Sequence, residues 1–170
     1  MAGAFLEDRA PEPHVTTAGT HVVEGMPMSW RTRDAIAEFG AERTMHRSHQ
    51  LNDSDVAASD VVICLAAEHV AYMRRTHPEA AGKTVTLRRL VRDLPAAAGA
   101  TFGERLASLG LAGVELDPTE DVADPAGGDL PVFRACAREI HDLIDLLVHQ
   151  LGDETTASRR SPRRSCVHLP

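Results

Sequence analysis

The segment Asp121-Val122-Ala123-Asp124-Pro125-Ala126-Gly127-Gly128 carries the strongest local chemistry in the chain. A carboxylate ahead of a proline, in a glycine-rich loop feeding a helix, suits a general acid on a movable segment. Spacing alone favours a plainer alternative, an acidic surface loop built around a Pro-Gly turn. His46-Arg47-Ser48-His49-Gln50-Leu51 is the second candidate. Two histidines three apart can ligate a metal from one helix, but no carboxylate or thiol partner is evident nearby, so no metal or other cofactor is called for. The other histidines are dispersed and form no triad-like pattern, and no glycine run of the nucleotide-binding types is present.

Cys64, Cys136 and Cys166 are too few and too scattered for a disulfide framework or a zinc site. Cys64 lies in the apolar run Val61-Val62-Ile63-Cys64-Leu65 and Cys136 on the apolar face of a predicted helix, so both suit small buried hydrophobes. Cys166 falls in a polar tail and is expected to be exposed. None has an arginine six places on: Val70 follows Cys64 at that spacing, Asp142 follows Cys136, and Cys166 is too near the end.

These residues must be positioned by α/β elements. Residues 1–10 have the composition of a helix without a capping residue, ended by Pro11 and Pro13. His14–Thr17 is β-prone. A helix is expected from Ser29, its cap, to Phe39, with Gly40 as the stop. Asn52 or Asp53 caps a short helix through Ala58. Val61–Leu65 has the continuous apolar run of a strand buried on both faces of a parallel sheet. Helix at Ala67–Thr76, strand at Lys83–Leu87, and helices over Leu87–Leu94 and Phe102–Leu109 follow. A long helix then carries Phe133, Cys136, Ile140, Leu143, Ile144, Leu147 and Leu151 on one face. Residues 1–151 are thus expected to form one domain and 152–170, polar and arginine-rich, a disordered tail. The fold class is a three-layer α/β domain with a parallel sheet, although only three strands can be counted.

A chain of 170 residues suits one domain, and its 43% hydrophobic and 25% charged content is ordinary for a globular protein. A net charge of −7 argues against nucleic acid as a partner. No apolar run is long enough to span a bilayer, and the first residues do not resemble a signal peptide, so no membrane partner is expected and a cytoplasmic location is.

Five segments in order resemble the low-molecular-weight protein-tyrosine-phosphatase family: Thr16-Thr17-Ala18-Gly19-Thr20; Glu24-Gly25-Met26-Pro27-Met28 with the helix after it; His46-Arg47-Ser48-His49-Gln50-Leu51; Ala58 to Leu65; and Asp121 to Gly128 before the last helix. The resemblance implies the phosphotyrosine protein phosphatase I-like fold and hydrolysis of phosphate monoesters, on proteins or small molecules, through a cysteinyl-phosphate. It makes Asp124 the general acid. His46 and Thr17 become supports of the phosphate-binding loop.

That family's strand one and its Cys-x-x-x-x-x-Arg-Ser-Pro loop have no counterpart here. Met1-Ala2 matches the residues that directly follow the loop. Two explanations are open, a start codon assigned at an internal methionine and a genuine truncation leaving a pseudophosphatase. In either case the 170 residues are expected to be inactive alone, and the sheet to have three strands with its centre vacant or closed over. The aromatic wall usual after Ala-Gly-Thr reads His21-Val22-Val23, and the tyrosines usual after Asp-Pro read Ala126-Gly127, which weakens a preference for phosphotyrosine. The alternative function is a non-catalytic binding or regulatory module. An arsenate reductase of this fold ranks lower, since it requires a redox cysteine pair.

Overall fold

A computed structural model describes residues 1–10, 14–42, 45–155 and 165–169. Strands β1 (His14–Thr17), β2 (Val61–Cys64), β3 (Thr84–Thr86) and β4 (Ser165–Leu169) form a parallel sheet in the order β1-β4-β2-β3. The helices are α1 (Ala2–Arg9), α2 (Trp30–Ala37), α3 (Asp53–Ala58), α4 (Ala67–Thr76), α5 (Leu87–Asp93), α6 (Phe102–Ser108) and α7 (Leu130–Thr155).

The layering follows from the two-residue period of the strands. Val61 and Ile63 pack into a core built with α1, α2, α5, α6 and α7, whereas Val62 and Cys64 join Val56, Val70 and Met73 from α3 and α4. All four β2 residues are buried, as a continuous apolar run in a doubly covered strand requires. Phe5, fully buried, meets Phe39 and His141 edge-on, with ring centroids 5.7 and 5.5 Å away. Helix α1 crosses β1 so closely that a Cβ at Gly3 would stand 2.1 Å from the Thr17 methyl.

Local signals account for most helix boundaries. Ser29 caps α2 by accepting from the Thr32 amide at 3.1 Å, and Gly40 takes a positive φ of 78° just beyond it. Asn52 and Asp55 form a capping box on α3, and Thr101 and Glu104 form one on α6. Helix α1 starts at Met1 without a side-chain cap.

The end of the chain departs from expectation. Helix α7 runs through Gly152 to Thr155, since one interior glycine costs only about 1 kcal/mol, too little to stop a helix held by a long apolar face. Residues 165–169 are a strand rather than part of a disordered tail, and they lie in the middle of the sheet. The sheet therefore has four strands, and its central place is occupied. The physical reason is pairing: among the described residues β1 has no other strand to bond, and β2 would otherwise present a bare backbone edge inside the core. The remainder of the predicted tail, 156–164 and 170, lies outside the described residues.

Candidate functional site

Open parallel sheets bind ligands beyond the carboxyl ends of their strands. Here that end gathers Ala18-Gly19 after β1, Leu65 after β2 and the N-terminus of α1. A cavity of about 120 Å³ opens there, lined among others by Met1, Glu7, Thr17, Gly19, His46 and His49. Thr17 and His46, 29 positions apart by number, are thus brought to one cleft beside the start of α1.

The wall of the cleft is a strapped loop. Gly19 and Gln50 pair as an isolated bridge, as do Pro27 and Arg47. The Ser48 amide donates to the Met26 carbonyl at 2.8 Å, and the Met26 amide donates to Ser48 Oγ at 2.9 Å. Glu24 accepts from the Gln50 amide at 2.6 Å and faces His49 Nδ1 at 3.2 Å, while Asp55 lies 2.8 Å from His49 Nε2. Hydrogen bonds that the ring donates to Glu24 and then to Asp55 raise the His49 pKa above its usual 6.5. His46 moves the other way. Burial lowers its pKa, helped by the Met1 ammonium and Arg47 and opposed by Glu7, so it is a neutral imidazole at pH 7.

Asp124 does not line the cleft. Its carboxylate is exposed and closes a turn by accepting from the Ala126 amide at 2.9 Å.

The root of the loop is tied to the sheet and to α4. Asp121 Oδ1 accepts from the Ala67 amide at 2.6 Å, capping α4 from outside it. The Val122 amide donates to the Leu65 carbonyl at 2.8 Å, tying the loop to the end of β2. Glu120, 4% exposed, accepts from Thr86 Oγ1 at 2.9 Å, Arg89 Nε at 2.8 Å and Arg92 Nη1 at 2.9 Å. Sequence reasoning missed Glu120, because nothing in an acidic stretch marks which carboxylate turns inward. It also missed His69, on α4, whose Nδ1 is buried without a hydrogen-bond partner among the described residues and whose pKa is lowered by burial against the pull of Glu68, Asp121 and Asp124.

The described cysteines are not poised as nucleophiles. Burial pushes the Cys64 thiol far up, and it pushes Cys136 up to about 11 with Glu139 adding to the effect. Among the described residues no cluster of metal-ligating side chains is found. No helix among them is long and apolar enough to cross a membrane.

No family model matches the chain. Individual relatives do. A protein-arginine-phosphatase of Geobacillus stearothermophilus is 31% identical over 155 residues, spanning 91% of this chain and 88% of the relative. The solved structure of a Geobacillus stearothermophilus arginine phosphatase superposes with a TM-score of 0.73 at 28% identity, covering 94% of this chain and 88% of that one. A low-molecular-weight protein-tyrosine-phosphatase from T. tengcongensis gives a TM-score of 0.69 at 25% identity over 88% of each chain. The chain belongs to the low-molecular-weight protein-tyrosine-phosphatase family, a phosphatase group whose members similar to this chain include arginine phosphatases.

Proposed function

We propose that these 170 residues carry the acid loop and the loop-supporting groups of a protein phosphatase that works through a cysteinyl-phosphate. We propose too that by themselves they do not turn over substrate. The observation that carries the first part is the likeness along nearly the whole chain to an arginine phosphatase, with Asp124 in its Asp-Pro loop ahead of the last helix. The second part rests on the absence from the sequence of any cysteine followed six places later by arginine, and on the burial of Cys64 and Cys136.

In a protein that holds the nucleophile, the thiolate attacks phosphorus and the bond to the leaving atom breaks. Asp124 gives that atom its proton. It then takes a proton from the water that displaces cysteine from the phosphoenzyme. His46, neutral and partly buried, and the Thr17 hydroxyl stand where they can brace the phosphate-binding loop against the end of β1. The fixed root of the acid loop, at Glu120, Asp121 and Val122, sets the place from which an exposed Asp124 can swing to the leaving group.

The substrate class follows from the cleft wall and the relative together. Val22 lines the cleft in the stretch His21-Val22-Val23, where family members present an aromatic wall, and the relative matched over 91% of this chain is a protein-arginine-phosphatase. Phosphoarginine in proteins is therefore favoured over phosphotyrosine. The chain of 170 residues should hydrolyse neither p-nitrophenyl phosphate nor phosphoarginine above background, and turnover abolished by a thiol alkylator would overturn this. The DNA upstream of Met1 decides between the two explanations for the missing loop. In-frame codons for Cys-x-x-x-x-x-Arg-Ser-Pro support a longer enzyme, in which Asp124→Asn should lower kcat by about 10²–10⁴-fold. A stop codon or unrelated sequence there supports the non-catalytic binding module instead.

A further inference from the structure

We propose that His49 is a proton-operated latch on the wall of the cleft. As an imidazolium it bridges Glu24 of the wall to Asp55 of α3, and on losing its proton it lets Glu24 go.

A neutral imidazole carries one N–H and an imidazolium carries two, whereas an ionised carboxylate can only accept. His49 presents Nδ1 to Glu24 Oε1 at 3.2 Å and Nε2 to Asp55 Oδ2 at 2.8 Å. Both contacts are hydrogen bonds in the charged ring alone. Either neutral tautomer leaves one carboxylate facing a nitrogen lone pair. Among the described residues Glu24 and Asp55 are the ionisable groups that act on the ring, and the side-chain amide of Asn52 lies 3.3 Å from Nε2 as a neutral neighbour. The two bonds outweigh the desolvation that opposes them, and so the ring keeps its proton above the ordinary 6.5.

Burial decides which bond breaks. The Asp55 side chain is 15% exposed and that of Glu24 62%. Asp55 Oδ2 also accepts from the Asn52 amide at 3.1 Å in the capping box of α3. Leaving a largely buried carboxylate unpaired costs more than letting an exposed one turn to water. The remaining proton therefore stays on Nε2, and Glu24 is released.

Glu24 belongs to the loop whose Gly19, Val22 and Met28 line the cavity, and His49 lines it too. The other Glu24 oxygen accepts from the Gln50 amide at 2.6 Å. With the ring neutral, that amide holds the carboxylate against repulsion from the Nδ1 lone pair. On the acid side of the His49 titration the wall is drawn in and carries a cation. On the alkaline side it loses that charge, and the stretch from Val22 to Met28 loosens. An anionic ligand is favoured in the first state. His46 lines the same cavity, but its lowered pKa puts its own step on the acid side of 6.5, apart from that of the latch. The latch does not depend on the catalytic assignment of Asp124, since it concerns the wall alone.

NMR titration of the full 170-residue chain tests it. On the acid side of the step both ring nitrogens of His49 should carry protons, and on the alkaline side Nδ1 should be the bare one. The Gln50 amide resonance should move with the same midpoint, above 6.5, and its exchange protection should fall about 3–5-fold across the step, as expected for a partly exposed ion pair. His49→Arg, whose charge cannot titrate, should remove the step and keep the protection in alkaline solution. His49→Gln should show the low protection throughout, and Glu24→Gln should bring the ring's midpoint back toward 6.5. A midpoint at or below 6.5, a Gln50 amide that ignores the titration, or a step that survives His49→Arg would each overturn the proposal. So would a bare Nε2 on the alkaline side, because Asp55 would then be the group released. The titration of the unsubstituted chain decides the matter even if a variant fails to fold.

Discussion

Glu120→Gln isolates the clamp at the root of the Asp121–Gly128 loop. The native carboxylate is 4% exposed and receives three donors, two of them guanidinium groups. Glutamine keeps the shape and one acceptor oxygen but turns an amide NH₂ toward a donor. Arg92 is 55% exposed and also grips Asp93 at 2.6 and 2.9 Å, so its share is screened and replaceable. Arg89 is 16% exposed, shares the Oε2 acceptor with Thr86 and has besides it the Glu115 carbonyl at 3.0 Å, so loss of the carboxylate charge beside this guanidinium carries most of the effect. Bonds to charged groups contribute about 1.5–3 kcal/mol, and a modest penalty for the misdirected NH₂ adds to that. The variant should lose roughly 2–3 kcal/mol, or about 5–10 °C in Tm for a domain of this size. Urea unfolding with an unchanged m-value measures it, with Arg92→Gln as a control that should cost no more than about 1 kcal/mol. A Glu120→Gln variant within about 0.5 kcal/mol of the parent would refute the assignment of Glu120 as the anchor of this loop.

Gly3→Ala should destabilise by about 1–2 kcal/mol despite the better helix propensity of alanine, because its Cβ collides with the Thr17 methyl; Thr17→Ser in the same chain should recover most of the loss, read by urea titration. The two cleft histidines should titrate on opposite sides of 6.5 by NMR, His46 below and His49 above. By linkage, the contribution of His49 is fully present below 6.5 and is lost as pH rises through its raised folded pKa, whereas that of His46 is lost as pH falls from 6.5 toward its lowered one. His49→Gln should therefore flatten the alkaline side of the stability profile and His46→Gln the acidic side. Neither Cys64 nor Cys136 should react with a disulfide reagent in the native chain within the time that a denatured sample reacts fully, since burial raises both thiol pKa values; fast native labelling of Cys64 would reopen an arsenate-reductase chemistry.

Much of the fold was legible because its signals are local. The Ser29 and Asn52 caps, the stop at Gly40, the apolar run of β2 and the face of α7 each depend on residues within a few positions of one another. Five ordered segments likewise sufficed for the family, since a family's motifs are preserved in chain order whatever the packing. The polar composition around residues 165–169 misled for a related reason: composition reports the tendency of a segment in water, and a strand slot inside a sheet is not water.

The sequence by itself determined the α/β class, the family, and the identities of Asp124, His46 and Thr17 as the residues to examine. Only the tertiary structure brought Thr17 and His46 into one cleft, kept Asp124 outside it, and turned Glu120 inward onto Arg89 and Arg92. It alone set Ser165–Leu169 between β1 and β2. Parallel pairing joins residues some 100 to 150 positions apart, by main-chain groups that every residue carries. Side-chain patterns cannot encode such a match, so the partner of a bare strand edge is chosen by what the finished core leaves unpaired.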